Sequence, residues 1–314
     1  METKNHTTPS EFIIMGFSSL LALQTWLFGI LLVIYIMTLL GNTVIITITR
    51  LDFHLHKPMY LFLGKLSFID ICYTSTTLPQ ILEHLMQERK AISYTGCVIQ
   101  LYFYLWFLGT ESLLLTVMAY DRYVAICNPL RYTIIMNKLV CWNLATGIWI
   151  PSFLNAAIHA FFTFKLPFCS SNKLNYFFCD VPPLLTLSCA DTSVNQIMLL
   201  VTSMLIGCTP CVCIIISYFN IIKAIFRISS SKGRQKAFST CSSHLTVVVF
   251  FYASAIFTYM RPTSSYSLDR DRLLSLVYTF INPMLNPVIY TLKNNEVKKA
   301  LKRLFAGKTF SSHI

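Results

Sequence analysis

Residues 97–118, CVIQLYFYLWFLGTESLLLTVM, form an apolar stretch that carries a single charge, Glu111. The stretch runs into MAYDRYVAIC at residues 118–127, where Asp121 and Arg122 stand side by side. About 20 apolar residues in a helix cross the hydrocarbon core of a bilayer. A charge at the boundary reaches interfacial water at a lower free-energy cost than one at mid-membrane. The stretch therefore predicts a membrane-spanning helix, and the acid–base pair fits either an interfacial anchor or a latch that opens toward a partner.

The whole chain shares this composition. Its 314 residues are 55% hydrophobic and 12% charged, whereas a soluble domain carries about a quarter charged residues. Apolar runs of about 20 residues or more predict an all-α membrane protein, a single seven-transmembrane helix bundle over residues 1–314. The runs lie at residues 27–48, 58–82, 97–120, 139–162, 194–222, 237–260 and 273–292. Seven spans place the two termini on opposite sides of the membrane.

The distribution of Lys and Arg orients these spans. The N-terminal tail, residues 1–26, and the loops on its side hold eight basic and eight acidic residues. The other loops and the tail at 293–314 hold sixteen basic and three acidic residues. Because cytoplasmic loops carry the excess of Lys and Arg, we expect an extracellular N-terminus and a cytoplasmic C-terminus. The net charge of +12 then requires no nucleic-acid partner, and Asn5 begins a glycosylation acceptor on the external side.

The segments outside the predicted spans add two expectations. Four cysteines fall on the outer side, an even number in an oxidising compartment, and arithmetic leaves their three possible pairings open. On the inner side, residues 293–305, KNNEVKKALKRLF, place Val297, Leu301 and Leu304 on one helical stripe among basic residues. This pattern predicts a short amphipathic helix on the inner leaflet, with a frayed basic tail as the alternative.

Motifs for catalysis and metal binding are missing from the sequence: it has no H-E-x-x-H, no G-x-S-x-G and no zinc-type Cys/His quartet. We therefore expect no enzyme activity, no metal and no cofactor. His159 is a lone histidine in a span, a position more often packed than ligating. Asp70 and Glu111 sit near mid-span, where an ionisable group indicates function. They predict either a sodium or proton site, with Asn282, Asn286 and Ser112 as further oxygen donors, or a hydrogen-bonded cluster that fixes helix packing.

The seventh span contains INPMLNPVIY at residues 281–290. Pro283 and Pro287 each remove a backbone hydrogen bond, which bends a helix. Asn282 and Asn286 precede the two prolines and are able to bond to the freed carbonyls or to water. The segment therefore predicts a helix that is able to change shape.

Five segments in this order resemble the olfactory receptors, a branch of the rhodopsin-like G-protein-coupled receptors. They are GN at 41–42, LHKPMYLFLGKLSFIDICYTS at 55–75, MAYDRYVAICNPLRY at 118–132, KAFSTCSSHLTVV at 236–248 and PMLNPVIYTLKN at 283–294. The resemblance implies a non-enzymatic receptor for a small-molecule odorant that activates a heterotrimeric, olfactory stimulatory G protein and raises cAMP. It also implies a multi-pass protein of the plasma membrane, in the cilia of olfactory sensory neurons.

By position, the resemblance assigns roles to individual residues. The switch toward the G protein comprises Asp121, Arg122, Tyr123, Tyr252, Asn286, Pro287 and Tyr290. In it, Asp121 restrains Arg122 at rest. The polar core comprises Asn42, Asp70, Glu111 and Asn282. The resemblance pairs Cys97 with Cys179 and Cys169 with Cys189, and Lys65, in place of a small polar residue, is expected to reach toward the cytoplasmic face.

The resemblance also implies a ligand pocket in the outer half, between the third, fifth, sixth and seventh helices. The residues expected to face it are Tyr104, Leu105, Leu108, Gly109, Thr202, Ser203, Ile206, Ala255, Ile256, Tyr259, Leu276 and Thr279. This wall is apolar with a few hydroxyls and no charge, so we expect a small, mostly apolar, neutral odorant. Tyr104 stands where receptors for amines place an acid, which disfavours a biogenic amine.

Two alternatives differ from an odorant receptor. A transporter or channel would use Asp70 and Glu111 as a proton or cation site, but the sequence has no paired repeats or broken half-helices of the kind transporters show. A non-olfactory rhodopsin-like receptor, for a peptide, would respond to peptide agonists instead of odorants.

Overall fold

The computed structural model describes residues 9–16, 24–169, 172–259 and 268–305, and most of them are helical. The predicted glycosylation site at Asn5 lies outside these residues. In chain order the elements are β1 (Glu11–Ile14), α1 (Gln24–Leu51), α2 (Pro58–Met86), β2 (Ala91–Ser93), α3 (Tyr94–Cys127), α4 (Tyr132–Ile135), α5 (Lys138–Gly147), α6 (Trp149–Phe164), β3 (Lys173–Leu174), α7 (Val181–Leu185), α8 (Ser193–Thr202), α9 (Thr209–Phe226), α10 (Ser231–Tyr259), α11 (Leu268–Lys293) and α12 (Asn295–Phe305).

Five helical segments in the described part of the chain are long and apolar enough to cross a membrane. They are Gln24–Leu51, Tyr94–Cys127, Lys138–Phe164, Ser193–Phe226 and Ser231–Ala255. The other two predicted spans, 58–82 and 273–292, lie in α2, which carries Lys65, Asp70 and Glu83, and in α11, of which the structure describes the side chains only in part. Length and composition therefore support five of the seven predicted spans, and the helices of the remaining two have the expected positions.

α3 is the central helix. It packs against α2, α6, α9 and α10 and buries side chains along its length, among them Leu101 and Leu114. The outer helices differ: α1 exposes Trp26 and Leu40, and α9 exposes Phe219. Soluble proteins rarely expose large contiguous apolar surface, so these outward faces are suited to contact with lipid.

Two of the spanning segments are interrupted, and each interruption precedes a proline. α5 ends at Gly147, whose carbonyl would bond to the amide that Pro151 lacks. Between α8 and α9, residues Ser203–Cys208 form one widened, π-helical turn. Pro210 follows it and leaves the carbonyl of Ile206 without its helical donor. Single π turns often mark functional sites in helices.

A three-stranded sheet lies at the end of the bundle where α2 ends and α3 begins. β1 is its middle strand, antiparallel to β2 and parallel to β3. Phe12 of β1 is fully buried, with its ring stacked on Tyr94 and edge-on to Phe168. The N-terminal strand is thereby packed onto the connection between α6 and α8.

Both disulfides that the resemblance implies are present. Cys97, in the first turn of α3, is joined to Cys179, and Cys169 is joined to Cys189. The first ties the long connection between α6 and α8 to the central helix, and the second closes a loop within that connection. The prediction of a long connection stapled by these two disulfides is confirmed.

α12 follows α11 as a helix where the basic segment 293–305 predicts one. It buries Val297 and Ala300, and Nε of Arg303 donates to Oδ2 of Asp52 at 2.9 Å. Burial alone would raise the pKa of the Asp52 carboxyl, but hydrogen bonds from Arg303 and His54 outweigh it and hold the pKa below its usual value. α12 is therefore anchored by charge to the loop between α1 and α2.

Candidate functional site

A cavity of about 350 Å³ lies between α3, α6, α10 and the segment from α8 to α9. Its lining residues are mostly apolar, and no Asp, Glu, Lys or Arg is among those that the structure describes. They are Leu105, Leu108, Gly109, Ser112, Asn155, His159, Leu199, Thr202, Ser203, Ile206, Gly207, Cys208, Cys211, Val212, Phe251, Tyr252 and Ala255. Small-molecule sites have this size and mixture, a largely apolar wall with a few polar groups.

The structure brings most of the predicted ligand-facing residues to this cavity. Seven line it: Leu105, Leu108, Gly109, Thr202, Ser203, Ile206 and Ala255. Tyr104 and Thr279 instead line an adjoining pocket of about 30 Å³, which also touches Leu108 and Ala255. Leu276 is buried and lines neither space, as far as the described residues define them. The side chains of Ile256 and Tyr259 lie outside the described residues.

Tyr104 lies against aromatic side chains of the long connection between α6 and α8 and of α2. The ring of Phe178, next to the disulfide-bonded Cys179, lies 5.0 Å from that of Tyr104. On the other side, the ring of Tyr73 stacks on Tyr104 at 5.2 Å. The backbone N–H of Cys179 donates to Oε1 of Gln100 at 2.9 Å. The loop therefore covers the outer end of the bundle with aromatic side chains and is held there by α3.

Helix α6 contributes cavity residues that the sequence did not assign to the ligand. Asn155 and His159 lie four residues apart, on one face of the helix, and both line the cavity. Nε2 of His159 lies 2.8 Å from Oγ1 of Thr202 on α8. In the sequence, the spacing of these two polar residues in the otherwise apolar span 139–162 was the pattern that could have indicated their place at the cavity.

Ser112 connects the cavity wall to two helices. Its hydroxyl donates to the Ile206 carbonyl at 2.7 Å, the carbonyl that Pro210 leaves without a helical donor. Its oxygen lies 3.1 Å from the hydroxyl of Tyr252 on α10. Because the Ser112 proton is directed at Ile206, the Tyr252 hydroxyl is the donor of the second bond. Any molecule that fills the cavity lies against this junction of α3, the π turn at 203–208 and α10.

The predicted polar core is divided among several contacts. Nδ2 of Asn286 donates to both oxygens of Asp70, at 3.2 and 2.9 Å. Nδ2 of Asn42 donates to the carbonyl of Pro283 at 3.0 Å, which is the carbonyl that Pro287 leaves without a donor. The expectation that Asn282 and Asn286 serve the freed carbonyls is wrong, because their amides donate to Ser254 and Asp70, and the freed carbonyl of Pro283 accepts from Asn42 of α1 instead.

The remaining two polar-core residues lie near the small pocket. Glu111 and Asn282 both line it, and Nδ2 of Asn282 donates to Oγ of Ser254 at 3.1 Å. Oε1 of Glu111 is buried and has no hydrogen-bond partner among the described residues. Within those residues, no group of three or more His, Cys, Asp or Glu is placed to hold a metal ion.

The acid and base at the end of α3 do not pair with each other. Asp121 accepts a hydrogen bond from the hydroxyl of Tyr132 at 2.8 Å, and in the described part of the chain no ion pair joins Asp121 to Arg122. Neighbouring residues on a helix point in different directions, so this expected pairing is corrected. Burial and the Asp121 carboxylate raise the pKa of Tyr132, which keeps the phenol protonated as the donor.

Arg122 is itself largely buried, and its Nη2 has no hydrogen-bond partner among the described residues. The hydroxyl of Tyr290 is also buried without a described partner. Tyr123 is half-buried, with its ring stacked on Tyr120. At Lys65, Nζ lies 5.2 Å from the ring centroid of Trp142, a contact that stabilises a cation near the interface.

Sequence comparison decides the family. The family model described as olfactory receptor matches residues 31–308. The chain belongs to the olfactory receptor family. It is 48% identical over 304 residues to olfactory receptor 5AP2 of Mus musculus, covering 97% of this chain and 96% of that protein. It is 49% identical over 300 residues to human olfactory receptor 2A12, covering 96% and 97%, and 47% identical over 304 residues to human olfactory receptor 2G3, covering 97% and 98%.

Membership fixes the broad class of the molecule. Olfactory receptors are G-protein-coupled receptors and not enzymes, so this receptor is a multi-pass membrane protein whose role is to detect a molecule and transmit a signal. The expected absence of catalysis follows from the family. The cavity beside α3 is then the candidate ligand site of the receptor, and the end of α3 that carries Asp121 and Arg122 is the candidate site of its switch.

Proposed function

We propose that the receptor binds a small, mostly apolar, neutral odorant in the cavity beside α3 and in response activates an olfactory stimulatory G protein, which raises cAMP. The cavity carries this proposal. Its volume of about 350 Å³ suits a small molecule, and its described walls hold no charged side chain. A charged ligand buried there would lack a counter-ion, which is costly.

A ligand changes a receptor only if it binds one helix arrangement better than another. Ser112 supplies the physical means, because it borders the cavity and bonds to Ile206 and Tyr252. A ligand that presses on this junction alters the position of α10 relative to α3. Movement of α10 away from α3 would open a crevice at the opposite end of the bundle.

In this proposal the crevice exposes Arg122 to the G protein. The buried Nη2 of Arg122 has no described partner, so a partner protein that offers a carbonyl or a carboxylate there would satisfy it. Tyr132 holds Asp121 in place, and among the described residues no hydrogen bond joins Asp121 to Nη2 of Arg122. Tyr123, Asn286, Pro287 and Tyr290 complete the proposed switch, with the basic segment 223–236 at its edge.

The membrane arrangement belongs to the same proposal. All seven long helical segments would cross the plasma membrane of olfactory cilia, with the N-terminus and glycosylated Asn5 outside and α12 on the inner leaflet. Asn42, Asp70, Glu111 and Asn282 would form a polar core. The bonds of Asp70 to Asn286 and of Asn42 to Pro283 favour a hydrogen-bonded cluster that joins helices over an ion site.

The test is a cAMP assay of cells that express the receptor, challenged with a broad panel of neutral odorants. We expect at least one odorant to raise cAMP, and Arg122→Ala to abolish the response while surface expression persists. Arg131→Ala is the matched control, because Arg131 is exposed in the following turn and should leave the response intact. A ligand-evoked current that persists without G protein would instead support a channel, and a response to peptides alone would support a peptide receptor.

A further inference from the structure

The polar residues of α6 are the most selective feature of the cavity. Asn155 and His159 border it from the same helix face, and His159 is almost fully buried. Nδ1 of His159 and Oδ1 of Asn155 are buried, and neither has a hydrogen-bond partner among the described residues. A buried polar atom without a partner destabilises a protein by about 1–3 kcal/mol. The cavity is the space from which such a partner can come.

The contacts of Thr202 determine which tautomer His159 adopts. The Thr202 hydroxyl has two backbone carbonyls of its own helix within reach, Met198 at 2.9 Å and Leu199 at 3.2 Å. A hydroxyl has one proton to donate. Because the Thr202 hydroxyl donates its proton to one of these carbonyls in a hydrogen bond, its oxygen accepts from Nε2–H of His159 at 2.8 Å. The neutral imidazole then presents Nδ1 as a lone pair, which is an acceptor.

Asn155 complements this acceptor. Its side-chain amide makes no bond within the described chain that would fix its orientation, and a rotation of the amide exchanges its oxygen and its NH2 group. Asn155 is therefore able to donate a hydrogen bond to an atom that also reaches His159. One ligand atom that both donates and accepts would satisfy the two residues together.

On the basis of the proposed function, we infer that the odorant carries a hydroxyl group, as an alcohol or a phenol, which donates to Nδ1 of His159 and accepts from the amide of Asn155. A carbonyl or ether oxygen of the same skeleton accepts only, and leaves Nδ1 without a donor. The remaining walls, formed by residues such as Leu105, Ile206 and Val212, hold the hydrocarbon part.

The experiment compares matched odorants in the cAMP assay. Each set consists of an alcohol, the ketone or aldehyde at the same carbon, and the methyl ether. We expect the alcohol to act at a concentration about 10-fold lower than its ether or carbonyl, which corresponds to one net hydrogen bond. In His159→Phe and, independently, Asn155→Leu, we expect this ratio to fall toward one. Asn143→Leu makes the same substitution at an exposed site of α5 and should retain the full ratio.

Each outcome bears on a different claim. Carbonyls or ethers that act as well as the alcohols on the parent receptor would overturn the hydroxyl inference and leave the odorant-receptor proposal standing. The same holds for an alcohol preference that survives in every surface-expressed α6 variant. A parent receptor that reaches the cell surface but responds to no odorant of any set would count against the proposed function itself.

Discussion

Substitution of Gly41 by alanine tests how closely α1 and α11 approach. A Cβ atom at Gly41 would lie 2.9 Å from Cγ and 3.2 Å from Cβ of Pro287. Two carbon atoms are in optimal contact at about 3.5–4.0 Å, so the proline ring would have to withdraw by about 0.5–1 Å. The ring is bonded to the backbone at both ends, so it cannot rotate away. The substitution therefore pushes the two helices apart.

A second glycine of the same helix supplies the reference. Gly29 lies in α1, with nothing within 4 Å of the position of its Cβ. Alanine favours a helix over glycine by about 1 kcal/mol, and Gly29→Ala and Gly41→Ala share this gain. Overpacking adds a cost of about 1–3 kcal/mol at Gly41 alone. At about 2–4 °C per kcal/mol for domains somewhat smaller than this one, we expect Gly41→Ala to melt about 2–12 °C below Gly29→Ala.

The assay is thermal unfolding of the two receptors, purified in the same detergent and monitored by loss of the monomer peak after heating. The parent protein is measured alongside, and Gly29→Ala should melt at or above its temperature. Equal melting temperatures for the two variants would show that α1 and α11 do not approach as closely at Gly41 as the structure indicates, and would refute the reasoning.

Two further predictions concern the junction in the cavity and the anchor of α12. Ser112→Ala removes the hydroxyl that donates to the part-buried Ile206 carbonyl and should lower stability by about 0.5–1.5 kcal/mol, the net contribution of one hydrogen bond, whereas Ser217→Ala, which loses only a bond within its own helix, should melt with the parent. The depressed pKa of Asp52 means that its bonds stabilise the fold fully above about pH 5 and lose this effect as pH falls through the pKa of the folded state. Melting measured from pH 7 to about pH 2 should therefore fall less steeply below about pH 5 in Arg303→Gln than in the parent, and equal slopes would contradict the proposed anchor.

The fold was largely predictable because its main determinant is the length of apolar runs. The predicted span at 97–120 lies inside α3, which extends beyond it at both ends, since a helix continues past the hydrocarbon core once its backbone is bonded. The π turn at 203–208 was not predicted, although Pro210 was visible. A run of apolar residues indicates that a segment is suited to lipid, but it does not indicate how the backbone hydrogen bonds of that segment are arranged.

The site was less predictable, because it depends on which side chains meet across helices. Leu108 and Ile206 line the cavity as the family resemblance implies, but Tyr104, which was expected there, lines the small adjoining pocket and its ring lies against that of Phe178. The prediction that Asp121 pairs with Arg122 was also wrong, because the hydroxyl of Tyr132, in a separate short helix, donates to Asp121. Both errors arise from contacts between segments whose packing no local pattern encodes.

The sheet at the end of the bundle has a consequence for the order of synthesis. Glu11, in the middle strand, bonds to Asn172, which lies 161 residues further along the chain. A ribosome adds about 5–20 residues each second, so the first strand waits about 10–30 s before its parallel neighbour exists. Until then its edge is unpaired, and an unpaired edge invites association with other chains. The N-terminal segment is thus one of the first parts of the receptor to be made and one of the later parts to reach its final place.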